Sequence, residues 1–141
     1  MSYVQARADI VAAAEAARVA WSAWPLKLDY QNRDLQDVDH DNLPYVAVNI
    51  YFIDGRQLSM GHTKDLRREG QVHLVACAPE RGGFVKQLAL HDHFAPYFEL
   101  KNFSTVRTHA SRPGGAPDIK NGWSQAILIV PFWFDELVTT P

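Results

Sequence analysis

GWSQAILIVPFWFDEL, residues 122–137, carries only two polar side chains, Ser124 and Gln125, before its acidic end. A membrane-spanning helix needs about 20 apolar residues, whereas this stretch is shorter and contains Pro131. Its β-branched and aromatic residues favour a strand over a helix. We therefore predict a buried core strand over residues 123–130, followed by an apolar segment beyond the proline.

The composition is that of one ordinary domain. The chain has 141 residues, of which 47% are hydrophobic, and this is enough to build one core. A net charge of −2 gives no general attraction to nucleic acid or to anionic membranes, which select an excess of Lys and Arg. The single cysteine, Cys77, excludes an intramolecular disulfide, and Arg7, Asp9 and Glu15 interrupt any signal peptide. We expect a cytosolic protein that binds neither nucleic acid nor membrane.

An amphipathic helix is predicted at the start of the chain. Ser2 and Gln5 match a capping box, in which each side chain satisfies a backbone N–H of the first turn. Pro25 disfavours helical geometry in Trp24, so the helix is expected to end near Trp24. One side of the helix carries Tyr3, Ala6, Ile10, Ala13, Ala14, Ala17 and Trp21. The alanines in this set would let the helix lie close to a sheet.

The rest of the chain predicts strands, turns and one more helix. YVAVNIYFI, residues 45–53, is apolar on both alternating faces and predicts a strand inside a sheet, with a turn at Asp54-Gly55. The other predictions are a loop over 31–44, an exposed hairpin or long mobile loop over 56–70, a strand over 71–78, a strand over 104–110 and a loop over 112–122. A helix is predicted over 83–95, ending around Pro96, with Phe84, Leu88, His91, Ala95 and Phe98 roughly aligned. This order predicts a single α+β domain, residues 1–141, in which two helices pack on one face of a mainly antiparallel mixed sheet.

An acidic segment begins like a calcium-binding loop but does not complete the pattern. Asp37, Asp39 and Asp41 have the first three spacings of an EF-hand loop. Asn42 then stands where a glycine is needed, and Val48 stands where a bidentate Glu is needed. We interpret the segment as a solvated acidic loop.

His91-Asp92-His93 resembles a metal or acid–base cluster. On a helix, two residues apart means about 160 degrees of separation, so the two imidazoles diverge. A helix therefore places His91 at the edge of the core and His93 at the surface. We predict no metal site and no other cofactor.

Two further features are weak signals for catalysis or ligand binding. Cys77 would act as a nucleophile only with a base brought near by folding, and it is better explained as a small buried thiol. Gly82-Gly83 before a helix could bind an anion, but a glycine pair is more often part of a turn. We predict no catalytic residues.

A basic cluster lies in the polar segment after the predicted turn. Lys64, Arg67 and Arg68 are interleaved with Asp65 and Glu69. The cluster could contact an acidic partner, or it could be a solvated hairpin whose charges pair locally, which contributes little to stability. The sequence leaves these two interpretations level.

Several short motifs recur in the order and spacing of one known family. They are the N-terminal helix that closes on Trp24-Pro25, the strand from Pro44-Tyr45-Val46, Arg68-x-Gly70 before the strand 71–78, Pro79 with Gly82-Gly83, Arg112-Pro113-Gly114, and Gly122-Trp123 leading to Val130-Pro131-Phe132. Together they cover nearly the whole chain, and it resembles the phage tail terminator-like family, which is related to minor tail protein U of lambda-like phages. The charged residues 56–69 depart from the family pattern.

This resemblance implies a structural protein without catalysis. Family members form a ring, usually a hexamer, on the last ring of the tail tube, where they stop polymerisation and present a surface for the head to join. The expected partners are the tail tube protein, a head-completion or connector protein, and further copies of the chain, which would be a monomer when free. The expected locations are the bacterial cytoplasm during assembly and the virion tail.

The resemblance also suggests contact residues and mobile loops. Trp133, Phe134 and Leu137 are candidates for a subunit or tail-tube contact, because aromatic residues are enriched at interface centres. Alternatively, these three side chains cover the helices of their own domain. The loops 32–43, 56–70 and 111–121 are expected to become ordered on assembly.

Two other functions remain open from the sequence. A head-to-tail connector subunit would share the small ring-forming design but act on the portal side. A small cytosolic enzyme would use His91, His93 or Cys77, and it would bind a metal or small ligand.

Overall fold

The sheet is built around three long strands, and two helices pack against it. The computed structural model describes residues 3–30, 43–61, 63–79, 84–103, 106–115, 118–120 and 123–139. In chain order the elements are α1 (Tyr3–Ala20), β1 (Leu28–Tyr30), β2 (Tyr45–Gln57), β3 (Thr63–Pro79), α2 (Val85–Phe98), β4 (Arg107–Thr108), β5 (Arg112–Pro113), β6 (Asp118–Lys120) and β7 (Trp123–Thr139). The predicted α+β architecture, with helices on a mainly antiparallel mixed sheet, is confirmed.

The strands follow the order β1-β2-β3-β7-β4, and β5 and β6 also pair with β7. The β1–β2 pair is parallel, and the other pairs are antiparallel. The β3–β7 pair runs without interruption from Thr63 opposite Thr139 to Pro79 opposite Trp123. β7 is therefore the organising strand, because it pairs β3 along its whole length and carries the short strands β4, β5 and β6 on its other side.

The helices bury one face of the sheet. Val72 lies opposite Ile50 on one side and opposite Val130 on the other, and all three are buried. Since directly opposed residues share a face, the even-numbered residues of these strands form the floor of the core. The buried residues of α1 are Ala6, Ile10, Ala13, Ala14 and Ala17, which are five of those predicted.

Gly70 leaves room for an aromatic ring against β3, the middle strand. A Cβ atom at this position would collide with the Tyr51 carbonyl and with the ring of Phe132. The space left by the missing side chain is where Phe132 packs, at 5.7 Å from the ring of Phe52. The glycine of the Arg68-x-Gly70 motif is therefore required by close packing and not by a turn.

Pro131 lies inside β7 without breaking it. His109 donates its backbone N–H to the Pro131 carbonyl at 2.9 Å, so this carbonyl points to the β4 side. An antiparallel residue directs its N–H and C=O to the same neighbour, so the missing N–H is also on that side. The β3–β7 ladder consequently loses no hydrogen bond, and the strand continues beyond the proline.

The first helix ends earlier than predicted. α1 ends at Ala20, and the prediction of an end near Trp24 is wrong. Trp21 donates its N–H to the Arg18 carbonyl at 3.1 Å, which closes a tighter last turn. The Trp24 indole donates to the Pro44 carbonyl at 3.0 Å and lies 4.8 Å from the ring of Trp21. The segment that follows α1 thus begins before Pro25, with the two tryptophans packed against each other.

The second helix ends later than predicted. Pro96 lies inside α2, which continues to Phe98. Phe98 is fully buried, and Glu99 donates its N–H to the Ala95 carbonyl at 2.9 Å. Burial of Phe98 therefore holds a last turn that the proline alone would disfavour. The predicted alignment is also wrong at Leu88, which is exposed; Gln87, Leu90, His91, Phe94 and Phe98 are the buried residues.

The largest correction concerns the polar segment after β2. Asp54-Gly55 does not form the predicted turn, because β2 continues to Gln57 after a bulge at residues 52–54. The segment 56–70 is not a loose loop but mostly strand, and of the two predicted forms the hairpin is the one observed. Of the predicted strand 104–110, residues 106–110 are described, and Arg107 and Thr108 are the two of these that lie in a strand; the predicted loop 112–122 contains β5 and β6. The capping box at Ser2, the acidic triplet Asp37, Asp39 and Asp41, and Gly82-Gly83 lie outside the described residues.

Candidate functional site

The ends of β2, β3 and β7 form a three-stranded extension of the sheet, which we call the arm. It comprises residues 53–61, 63–69 and 133–139. The last seven residues of β2 are all exposed, whereas its first six are alternately buried and half-buried. Tyr3 of α1 contacts the base of the arm, with its ring 4.6 Å from Phe52 and 5.7 Å from Phe134. Beyond this base β3 continues for about 20 Å.

The tip of the arm, residues 58–61, carries two exposed apolar side chains and is hydrogen-bonded to β3. Leu58 and Met60 are 49% and 90% exposed. Leu58 donates its N–H to the Asp65 carbonyl at 2.7 Å, and the Asp65 N–H donates to the Ser59 hydroxyl at 2.8 Å. The Gln57 amide donates to the Ser59 carbonyl at 2.7 Å. The hydrogen bonds therefore organise the turn while the apolar side chains stay in solvent.

The two arginines of the basic cluster are paired within the arm. Arg67 forms two hydrogen bonds with Asp135, at 2.9 and 3.2 Å, and its guanidinium lies 4.0 Å from the Trp133 ring centre. This hydrogen bonding raises the pKa of Arg67. Arg68 contacts Glu136 at 3.3 Å on the opposite face of the arm. The structure thus shows local charge pairing for both arginines, one of the two interpretations that the sequence left open.

Lys64 differs from the arginines. It lies next to the tip, at the start of β3, and no described residue forms an ion pair with it. The remaining ion pair of the arm joins Arg56 to Glu69 at 2.6 Å. Within the described part of the arm, Lys64 is therefore the basic side chain left for an external carboxylate.

The three apolar candidates of β7 have different environments. Phe134 is 1% exposed and packs against Tyr3, so it covers the helix of its own domain. Trp133 is half-buried on the other face, with Arg67 on one side and Arg107 at 5.1 Å from its ring centre. Leu137 is 68% exposed. Only Leu137 of these three presents most of its side chain to solvent.

An apolar groove lies at the opposite end of β7, between α2 and β5. We call it the α2 groove; its volume is about 320 Å³. It is lined by Leu88, His91, Asp92, Pro113, Gly115, Ala126, Ile127 and Leu128. Leu88 and Pro113 are exposed at its sides, and Asp92 adds a carboxylate to the lining. The groove therefore has an apolar floor and one acidic group.

The histidines predicted to diverge do so. The Nε2 atom of His91 lies 3.0 Å from the Ala126 carbonyl, and the Nε2 atom of His93 lies 2.7 Å from the Ala17 carbonyl. His91 is at the edge of the core, as predicted, and burial lowers its pKa. The surface position predicted for His93 is wrong, because its ring packs between α1 and α2, 5.0 Å from Trp21. Each histidine thus bonds to a different backbone carbonyl, and the two rings do not face a common binding site.

Cys77 is buried on the sheet face opposite the helices. Its side chain is 2% exposed, and burial raises the pKa of the thiol to about 11. The thiol donates to the Val75 carbonyl at 3.7 Å and is also hydrogen-bonded to Tyr45. At neutral pH the thiol is therefore protonated, which opposes nucleophilic reactivity.

The described residues contain no group of three or more His, Cys, Asp or Glu side chains placed to hold a metal ion. Neither α1 nor α2 combines the length and apolar content that crossing a lipid bilayer requires.

Sequence reasoning did not find the arm as a structure or the α2 groove. One signal for the arm was present: Arg67-Arg68 and Asp135-Glu136 are consecutive pairs of opposite charge in two polar strand ends. In an antiparallel register, matching charges of this kind favour pairing. The groove had no comparable signal, because it depends on how far α2 stands from β5.

Comparison with known proteins shows the fold and not the function. No family model and no curated protein sequence matches this chain. Nineteen chains of solved structures match it. One of them, whose name states no function, aligns over 100% of this chain and 99% of its own, with a TM-score of 0.66 and 15% sequence identity. At this identity the likeness establishes that the whole chain adopts a fold shared with other proteins.

Proposed function

We propose that this protein is a phage or prophage structural protein that caps the tail tube as a ring, ends tail polymerisation and provides the surface to which the head joins. The observation that carries the proposal is the arm. This extension of the sheet ends in the exposed apolar side chains of Leu58 and Met60, which do not pack in the core of their own domain. Such a feature is typical of a surface that contacts another subunit.

The resemblance to tail terminators supports the same conclusion. Two of its motifs contain glycines at positions of close packing: Gly70 under Phe132, and Gly114, where a Cβ atom would lie 2.7 Å from the Ile127 side chain. These motifs therefore reflect demands of the fold. They support the resemblance as a whole, and the resemblance and the arm together support the proposed function.

A cap requires a particular kind of symmetry. Contacts between different surfaces of identical subunits repeat until a ring closes, and a closed ring offers the growing tube no equivalent site. The proposed partners are the tail tube protein on one side and a head-completion or connector protein on the other. The ring would be a hexamer formed from free monomers in the bacterial cytoplasm, and it would remain in the virion tail.

An enzyme that uses Cys77 or the two histidines is the less favoured alternative. The raised pKa of the thiol and the separate backbone partners of His91 and His93 both argue against it. No specific observation favours a head-to-tail connector over a terminator, so the experiment must separate them.

The test is electron microscopy of particles made by the parent phage or prophage after deletion of this gene, with the gene restored in trans as the control. Overlong tubes without heads are the expected result. Tails of normal length that fail to join heads would indicate a connector. Normal infectious particles would overturn both structural functions.

A further inference from the structure

We propose that the tip of the arm inserts into the α2 groove of a second copy of this chain, with Lys64 beside Asp92 of that copy. This inference rests on the proposed function, because it specifies which surfaces would join neighbouring subunits of the ring. It commits to a contact between two different surfaces of identical chains.

The two surfaces are complementary in chemistry and size. Leu58 and Met60 are exposed at the tip, and hydrogen bonds of Leu58 and Ser59 with Asp65 tie this part of the chain to β3. The groove offers an apolar floor and a volume of about 320 Å³. Since a cavity of about 150 Å³ holds one benzene molecule, this volume accommodates one or two side chains of the size of Leu or Met. Methionine also adapts its shape to irregular apolar sites.

The charges beside the two surfaces are complementary as well. Lys64, next to the tip, has no ion pair with any described residue. Asp92, in the lining of the groove, is exposed and likewise has none among the described residues. The neighbouring arginines Arg67 and Arg68 are already bound to carboxylates of β7. A contact between copies would thus pair a basic side chain beside the tip with an acidic one beside the groove, neither of which has an ion pair among the described residues.

One chain cannot make this contact with itself. Leu128 in the groove and Thr139 at the end of β7 are 11 residues apart along one strand. At 3.3 Å per residue they are separated by about 36 Å, and the tip lies beyond Thr63, which is opposite Thr139. The partner of the tip must therefore be the groove of another molecule.

The edge of β2 opposes a different mode of association, the addition of a strand. A bulge interrupts the register between Phe52 and Asp54, and the Asp54 carboxylate accepts the N–H of Gly55 at 2.7 Å. Bulges and charged side chains are the devices that protect sheet edges from pairing. Side chains at the tip are consequently better placed than this edge to make the contact.

Disulfide trapping tests the contact directly. Purified Met60→Cys and Leu88→Cys proteins are mixed under mild oxidation at roughly millimolar concentration, where even a contact with a millimolar dissociation constant is populated. We expect at least tenfold more reducible dimer in the mixture than in either variant alone. The wild-type chain controls for Cys77. Dimer from Met60→Cys alone would show tip-to-tip contact, and no dimer in the mixture would also overturn the proposal.

A chain that carries both cysteines reports the symmetry. Because its own cysteines are too far apart to meet, it should form a ladder of linked copies. A ladder that stops at a fixed number of subunits is the expected result, since it indicates a closed ring. A ladder without a limit would indicate an open filament and overturn the ring geometry.

A charge swap tests Lys64 and Asp92. Lys64→Glu and Asp92→Lys should each weaken self-association about three- to tenfold in sedimentation experiments, and the two changes in one chain should restore it. Lys101→Glu, at an exposed lysine away from both surfaces, is the control for net charge. Failure of the double change to restore association would show that these residues do not meet.

The outcomes separate this inference from the proposed function. Overlong tubes after gene deletion, with no dimer in the trapping mixture, would leave the terminator in place and overturn this contact. A specific dimer together with normal virions would leave the contact in place and overturn the terminator.

Discussion

The body of the sheet and the arm use the same three strands but are held together differently. In the body, β2, β3 and β7 bury an apolar face under two helices. In the arm the same strands continue with charged pairs such as Arg67–Asp135 and Arg56–Glu69. Burial of apolar area stabilises the first region, whereas cross-strand pairs contribute roughly 0.2–1 kcal/mol each in the second. A strand can therefore extend well past its hydrophobic core when its neighbours supply matching partners.

The largest expected effect comes from the base of the arm, where the body ends. Phe134→Ala should lower the free energy of unfolding by about 3 kcal/mol, because it empties a fully buried aromatic site beside Tyr3. Leu137→Ala, three residues further into the arm, should change it by less than about 0.5 kcal/mol because its side chain is exposed. Urea unfolding of both variants makes the comparison. Equal decreases in the free energy of unfolding for the two variants would show that the body extends further along β7 than the burial of its side chains indicates.

A second prediction concerns two glycines on either side of this boundary. Gly70→Ala should cost about 2 kcal/mol, since its methyl group would collide with the Tyr51 backbone and the Phe132 ring. Gly55→Ala is the matched control, because its Cβ atom would lie 3.2 Å from the end of the flexible Arg68 side chain. Thermal unfolding measures both. If Gly55→Ala lowered the stability as much as Gly70→Ala does, the arm would be packed as tightly as the body.

Most of the body could be predicted from the sequence, and the reason is periodicity. The inner side of α1 and the strands 45–53 and 71–78 carry apolar residues at the spacing that their structures require. The end of α2 could not be predicted, because burial of Phe98 overrides the local effect of Pro96. The prediction of a turn at Asp54-Gly55 was wrong for a related reason. β3 supplies pairing partners on both sides of this dipeptide, so the chain forms a bulge and continues as a strand.

The candidate site was less predictable because it depends on pairing between distant segments. Lys64, Arg67 and Arg68 look alike in the sequence, yet Asp135 and Glu136 engage only the two arginines. Phe134 and Leu137 are likewise both apolar residues near the end of β7, and their positions on the strand put the first in the core and the second in solvent. The α2 groove arises between elements whose spacing no local pattern encodes.

The body should also respond to pH through His91. Burial lowers the pKa of this histidine, so the unfolded chain binds more protons than the folded one between the lowered folded-state pKa and the ordinary histidine value. The stability linked to His91 is therefore fully present above the unfolded-state pKa of about 6.5 and is lost as the pH falls from there through the folded-state pKa. Unfolding measured from pH 7.5 to 5.5 should show a smaller decrease for His91→Gln than for the wild type. His109→Gln, at an exposed histidine, should follow the wild type; equal slopes for all three proteins would contradict this assignment.

The smallest expected effect belongs to the ion pairs of the arm. A double-mutant cycle on Arg67→Ala and Asp135→Ala should give a coupling free energy smaller than the cost of either core change above, because both side chains are partly exposed and solvent screens their charges. The coupling should decrease further as salt is added. Urea unfolding at low and high salt provides the measurement, and a coupling that salt leaves unchanged would place this pair in a far less solvated environment.

The same pair determines how a charge reversal in the arm must be interpreted. Changing Arg67 and Arg68 to Glu is expected to impair docking without unfolding the domain, but it also places acidic side chains next to Asp135 and Glu136, where the arginines now pair. Lost assembly alone would then not distinguish a missing partner contact from repulsion within the arm. Adding Asp135→Arg and Glu136→Arg restores the internal pairs while keeping the reversed strand. If assembly returns with these four changes, the arginines act by holding the arm in shape; if it remains absent, they contact the partner directly.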